Sequence, residues 1–265
     1  MSTGFSTSLF ALGLAVSLTS PVLAQNTFRD VPGDYWAQPF IERLAQRNIV
    51  VGYPDGTFRP EQAVQRDEFA AMLRQAFDQE AVREIEDGSV FADVPPGYWA
   101  SPAIEEAYQQ GFMSAYPGGF FAPNQPVSRL EALVTLTRGL NLTPETRRVA
   151  RRPRYLPLAM TSLMQPLVVA PVPSTPMAAL ARDYYTDAEQ IPEYALNDVG
   201  IATQRNMVVN YPNPRVLNPN QALRRSTAAA FIHQALVDQG RMEPLPSDVA
   251  AYNYIVRPEV TRAGR

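Results

Sequence analysis

The chain has 265 residues, enough for one or two domains, and a net charge of −3, which argues against nucleic acid, a partner that needs a basic surface. It has no cysteine and one histidine, His233, so disulfide frameworks, thiolate zinc sites, cysteine nucleophiles and His-rich metal sites are excluded. All 23 basic residues are arginine, which genome composition explains without a functional cause.

Residues 1–24 read as a secretory signal peptide. Leu9 to Leu18 form its apolar core, and Val22-Leu23-Ala24 offers a small-residue cleavage site before Gln25. No Lys or Arg precedes the apolar run, so the expected start lies upstream or the signal is weak. The run is too short to span a bilayer, no other segment qualifies, and no cysteine follows for a lipid anchor. The expected product is exported and lies in the periplasm or cell envelope, without a transmembrane span.

From residue 25 onward the chain repeats itself three times. Phe28-Arg29-Asp30-Val31 returns as Phe91-Ala92-Asp93-Val94 and, more loosely, as Tyr185-Thr186-Asp187-Ala188. Trp36, Trp99 and Tyr194 each precede an alanine, and each lies 17 positions before Tyr53, Tyr116 or Tyr211. A repeat of this size is one supersecondary unit that buries its apolar face only against its neighbours. The repeats are assigned to residues 25–82, 83–142 and 183–240.

Within each repeat the pattern is helix, loop, helix. In repeat 2, Ser101 is placed as the cap and Pro102 at the first helical position. Ile104, Ala107 and Tyr108 form one face, and Gly111 stands at the helix end. Asn48 and Asn206 hold the same place, as the other residue type that tolerates a left-handed cap. Tyr53-Pro54-Asp55-Gly56-Thr57-Phe58 is a strong turn signal, Gly118-Gly119 replaces it in repeat 2, and Asn213-Pro214-Arg215 in repeat 3 predicts a different loop. The second helices are predicted to begin near Gln65, Ser128 and Arg224. Ser128-Arg129-Leu130-Glu131 has the capping-box pattern, in which Glu131 reaches back to the cap.

Residues 143–182 separate repeats 2 and 3. An arginine cluster (Arg147, Arg148, Arg151, Arg152, Arg154) is followed by a Pro-rich apolar stretch, and prolines 157, 166, 171, 173 and 176 predict an extended strap or linker. A solvated charge run is the simplest reading of the cluster. Residues 241–265 are assigned to a C-terminal tail.

These motifs resemble the S-layer homology family: Phe-x-Asp-Val, then Trp-Ala, then Gly-Tyr-Pro-Asp-Gly-Thr-Phe-x-Pro, then Thr-Arg-Ala-Glu. Repeat 1 carries Phe28, Asp30, Val31, Trp36, Ala37, the run from Gly52 to Phe58 and Pro60, ending on Gln65-Arg66-Asp67-Glu68. Repeat 3 departs most, with Tyr194 for Trp and Arg224-Arg225-Ser226-Thr227, which lacks the glutamate. The resemblance implies a mainly α fold of three helix-loop-helix repeats packed as a pseudo-trimeric bundle. It further implies non-catalytic anchoring to an anionic, pyruvylated cell-wall polysaccharide linked to peptidoglycan, through grooves between repeats and without a cofactor. The residues it nominates are Arg66, Arg129, Arg225, Trp36, Trp99, Gly52, Tyr53, Asp55, Gly56, Tyr116, Gly119 and Tyr211. Repeats 1 and 2 are expected to hold the better sites.

Simpler roles stand beside these. The three arginines read equally as surface ion-pair residues, worth about 0–1 kcal/mol each. Trp36 and Trp99 read first as core or seam packing, Glu68 and Glu131 as capping residues, Asp30 and Asp93 as turn stabilisers, and His233 as a core residue. Arg129→Ala is accordingly expected to weaken binding while changing stability little. An alternative function is a structural adaptor that binds another envelope protein through the linker or tail.

Overall fold

The computed structural model describes residues 28–83, 85, 91–144 and 175–258. The expected signal peptide and the arginine cluster lie outside them. The described residues form seven α-helices and no sheet: α1 Gln38–Ala45, α2 Arg66–Ala76, α3 Ser101–Gln109, α4 Arg129–Gly139, α5 Pro176–Tyr184, α6 Glu193–Gln204 and α7 Arg225–Asp238. The fold is thus the helical bundle of repeats that the sequence predicts.

The bundle closes as a ring. The second helix of each repeat packs on the first helix of the next: α2 on α3, α4 on α6, and α7 back on α1. At the centre, three backbone bonds run in a circle. Val64 N–H donates to Leu223 (2.8 Å), Leu223 to Val127 (2.7 Å) and Val127 to Val64 (3.0 Å). Each participant lies two residues before a second helix, so the ring fixes the entry angle of all three. None of the three repeats can make these bonds alone, which is the physical content of the repeat.

The recurring small motifs have local causes. Asp30 accepts from Phe58 N–H and Arg59 N–H (both 2.7 Å). Asp93 does the same for Phe121 and Ala122 (both 2.7 Å), and Asp187 for Leu217 (2.9 Å) and Asn218 (2.7 Å). The second residue of each donor pair has positive φ: Arg59 57°, Ala122 56°, Asn218 52°. The carboxylate thus holds a turn that costs backbone strain. Asn48, Gly111 and Asn206 have φ of 57°, 80° and 56°, the left-handed caps that the sequence predicts.

Three local expectations are corrected. Helix α3 is preceded by Ala100 as its cap residue, and Ser101 lies inside the helix with its hydroxyl on Glu105 (3.1 Å). Glu131 does not complete a capping box. Ser128 Oγ accepts from Glu131 N–H (3.0 Å), but the Glu131 carboxylate pairs with Arg66 of repeat 1. The end of the linker is helical rather than extended. Thr175 caps α5 through Ala178 N–H (3.2 Å), and Pro176 takes the first helical position, where its missing N–H costs nothing. Helix α5 lies so close to α6 that a Cβ at Gly200 would stand 1.9 Å from the Met177 carbonyl oxygen.

The described part of the tail, residues 241–258, also folds. Met242, Leu245, Ala251, Ile255 and Val256 are buried, and Arg43 of α1 donates to the carbonyl of Glu243 (2.9 Å).

Candidate binding grooves

Arg66, Arg129 and Arg225 each open a second helix and reach forward into the loop of the next repeat. Arg66 Nε donates to Phe121 O (2.8 Å) and Nη2 to Ser114 O (3.0 Å). Arg129 Nε donates to Leu217 O (2.7 Å) and Nη2 to Asn210 Oδ1 (2.6 Å). Arg225 Nε donates to Phe58 O (2.8 Å) and Nη2 to Val51 O (3.0 Å). Their relative exposures are 4%, 7% and 7%, so they are buried clamps rather than surface ion-pair residues. Burial pulls the pKa of Arg129 down to about 10, which leaves it cationic at neutral pH.

One hollow lies beside each clamp. Groove 1, about 420 Å³, is lined by residues 48–53, Glu68, Met72, Trp99 and Arg225. Groove 2, about 500 Å³, is lined by Arg66, Arg83, Tyr116, Glu131 and Arg138, with residues 110–115 as its floor. Groove 3, about 260 Å³, is lined by Trp36, Glu61, Arg129, Tyr211 and Arg224.

The grooves differ in charge and in occupancy. Groove 2 sets three arginines against one glutamate, and Arg66 also lies over the Tyr116 ring at 4.7 Å. Groove 1 is balanced, since Arg225 faces Glu68 at 3.9 Å, and Glu68 also accepts from Tyr53 OH (3.0 Å). Its walls are mostly apolar, with Val51 68% and Trp99 61% exposed. Groove 3 is the smallest of the three, and its aromatic wall packs on itself and on the tail. Trp36 stacks on Tyr211 (5.2 Å, 6°), and Tyr254 of the tail meets both rings edge-on, at 6.3 and 4.8 Å. Ile255 pairs with Val209 beside them.

The twelve residues nominated by sequence therefore separate. Arg225, Gly52, Tyr53 and Trp99 meet in groove 1, Arg66 and Tyr116 in groove 2, and Arg129, Trp36 and Tyr211 in groove 3. Trp99 is not core packing, being mostly exposed, whereas Trp36 is half-buried in its stack. Gly52 is required by packing, since a Cβ there would stand 2.5 Å from the Phe28 ring. Asp55, Gly56 and Gly119 are outside the groove linings. Asp55 accepts from Thr57 N–H (3.0 Å), and the Thr57 bonds hold its carboxyl down at about 2. Gly56 and Gly119 have φ of 76° and 77° and close their turns onto Tyr53 O and Tyr116 O.

Sequence reasoning missed Arg83 and Arg138 in groove 2 and Tyr254 behind the aromatic wall of groove 3. Arg83 donates to Tyr108 O (3.2 Å) and Met113 O (3.0 Å), and Arg138 pairs with Asp198 (2.7 Å). None belongs to the repeated motif, so comparing the repeats carries no signal for them. His233 is fully buried in α7 against Phe40 (ring centroids 5.2 Å), and its Nε2 has no hydrogen-bond partner among the described residues.

Residues 27–70 and 90–133 each match the S-layer homology domain. The chain thus carries this domain in repeats 1 and 2, and the backbone ring makes repeat 3 its structural counterpart. Among curated proteins, a cellulosome-anchoring protein of Acetivibrio thermocellus is 32% identical over 122 residues, 44% of this chain and 27% of that protein. The outer membrane protein SlpA of Deinococcus radiodurans is 36% identical over 109 residues, 39% of this chain and 9% of that protein. Exoglucanase XynX of Acetivibrio thermocellus is 28% identical over 231 residues, 87% of this chain and 18% of that protein. The chain thus matches about a quarter or less of the length of each.

Proposed function

We propose that this chain, a carrier of S-layer homology domains, is a non-catalytic anchor that holds to an anionic, pyruvylated polysaccharide of the cell wall. The coarser part, anchoring at the cell surface, is supported by its likeness to a cellulosome-anchoring protein. The observation that carries the finer part is the charge of groove 2. A ketal carboxylate is a fixed anion on a sugar, and Arg66, Arg83 and Arg138 outnumber Glu131 and Asp198, the carboxylates that pair with them. Tyr116, 36% exposed, offers a ring face for the apolar side of the pyranose. Arg66 is buried and held by two carbonyls and Glu131, so the more exposed Arg83 and Arg138 supply the contacts that a ligand reaches.

A repetitive polymer presents many copies of such a group, and neighbouring anchors on one strand gain avidity without a tight single site. The site follows in the cell envelope, on wall polymer linked to peptidoglycan. Titration of a 4,6-pyruvate-ketal mannoside tests the assignment: binding should fall at least fivefold in Tyr116→Ala and Arg83→Gln. Unchanged affinity in both variants would remove groove 2 from recognition.

A further inference from the structure

The tail in repeat 3 reveals an edge that repeat 1 leaves open. Residues 254–256 run antiparallel to residues 208–210. Asn210 N–H donates to Tyr254 O (2.9 Å), Val256 N–H donates to Val208 O (2.8 Å), and Ile255 pairs with Val209 between them. Repeat register, fixed by the left-handed caps Asn48, Gly111 and Asn206, makes Val50, Val51 and Gly52 the counterparts of Val208, Val209 and Asn210.

The three counterparts have different fates. In repeat 3 the tail covers the edge, and Val209 is fully buried. In repeat 2 the acceptor position, Met113 O, is taken by Arg83 (3.0 Å). In repeat 1, Gly52 N–H and Val50 C=O have no hydrogen-bond partner among the described residues, and Val51 is 68% exposed. Trp99, which corresponds to Trp36, stands 61% exposed across the same groove from Tyr53, which corresponds to Tyr211. The Trp36–Tyr211 pair holds the ring of Tyr254. The main-chain edge and the tryptophan that seat the tail in repeat 3 thus have open equivalents in groove 1, whereas the Tyr53 ring already carries Arg59 at 3.7 Å and Arg225 at 5.0 Å.

We propose that groove 1 is a peptide-docking site. Its occupant is an extended segment of a partner polypeptide with an aromatic residue followed by two β-branched ones, added antiparallel to residues 50–52. The chemistry is that of strand addition: main-chain bonds hold the segment, and side-chain pockets select it. The Gly52 N–H bonds the carbonyl of the aromatic residue. The Val50 C=O accepts from the second β-branched residue, and the first packs over Val51. The aromatic ring packs against the exposed Trp99, as Tyr254 does edge-on against Trp36. An unpaired apolar edge beside an exposed tryptophan is a surface that a monomer ordinarily covers or charges. This proposal stands apart from polysaccharide recognition in groove 2, and either can fail alone.

The probe is a synthetic nine-residue peptide with the sequence of residues 249–257, added to the full chain and followed by amide NMR. The expected result is saturable binding with shifts at the Gly52 amide and the Trp99 indole. N-methylation of the amide corresponding to Val256 should weaken binding at least tenfold, as should Trp99→Ala in the protein, an exposed side chain whose loss leaves the fold intact. No binding would overturn the proposal. So would shifts confined to Val209, Asn210 and Trp36, since they would mean that the peptide only exchanges with the protein's own tail.

Discussion

The guanidinium of Arg225 lies 2.8 Å, through Nε, from the carbonyl oxygen of Phe58, 167 positions earlier in the chain. This contact ties the last repeat to the first and has its counterparts in Arg66–Phe121 and Arg129–Leu217. Groove architecture and fold stability therefore meet in the same three side chains, which shapes what mutation can report.

Arg129→Ala should destabilise the chain by about 3 kcal/mol, because it strands the Leu217 carbonyl and the Asn210 amide in a buried seam. Thermal or urea unfolding measures this. The sequence-based expectation of a near-neutral change is reversed by burial. A binding loss in this variant would not identify a ligand contact, so binding should be read from Arg83 and Tyr116.

Asp187→Ala should cost about 2 kcal/mol, since two backbone donors, Leu217 N–H and Asn218 N–H, lose their acceptor at a positive-φ turn. Asp187→Asn should recover part of the loss, because the amide retains one acceptor oxygen. Urea midpoints for the pair separate hydrogen bonding from shape.

Gly200→Ala should destabilise by about 2 kcal/mol or more, because the added Cβ would meet backbone of Met177 rather than a side chain that can turn away. The effect should be local: amide exchange should rise in α5 and α6 before it rises in α1.

Repeat number, helix order, the left-handed caps and the aspartate-held turns were legible in the sequence, because each recurs at fixed spacing and has a local cause. Burial of the arginines was not, since recurrence is equally expected of a ligand contact and of a clamp. Only the fold reveals that Arg66, Arg129 and Arg225 point into neighbouring carbonyls. Arg83 and Tyr254 occur once each, so no internal comparison flags them. Helix α5 was hidden by the run of prolines that leads into it, although Pro176 sits where a helix tolerates one. The departure of the Asn213-Pro214-Arg215 loop was legible: Val216 N–H closes the turn onto Asn213 O (3.1 Å), where Gly56 and Gly119 close onto a tyrosine carbonyl.

Stability should also fall with acid through His233. Burial lowers its pKa in the fold from 6.5 to about 4, with Arg43 and Arg47 adding unfavourable charge. The neutral form is the one that fits, so the contribution is present in full above pH 6.5. It is lost as pH falls, because the unfolded chain takes up the proton first, and the loss is complete below about pH 4. The difference approaches about 3 kcal/mol. After correction for their offset at pH 7, the unfolding free energies of the parent and His233→Leu should diverge at pH 4.5, with the parent falling below the variant.

The most direct test of wall anchoring is co-sedimentation of residues 25–265 with purified cell-wall sacculi, before and after mild acid removal of pyruvate ketals. Binding that is strong before treatment and lost after it is the predicted result. Binding that survives removal of the ketals would contradict recognition of an anionic sugar in groove 2.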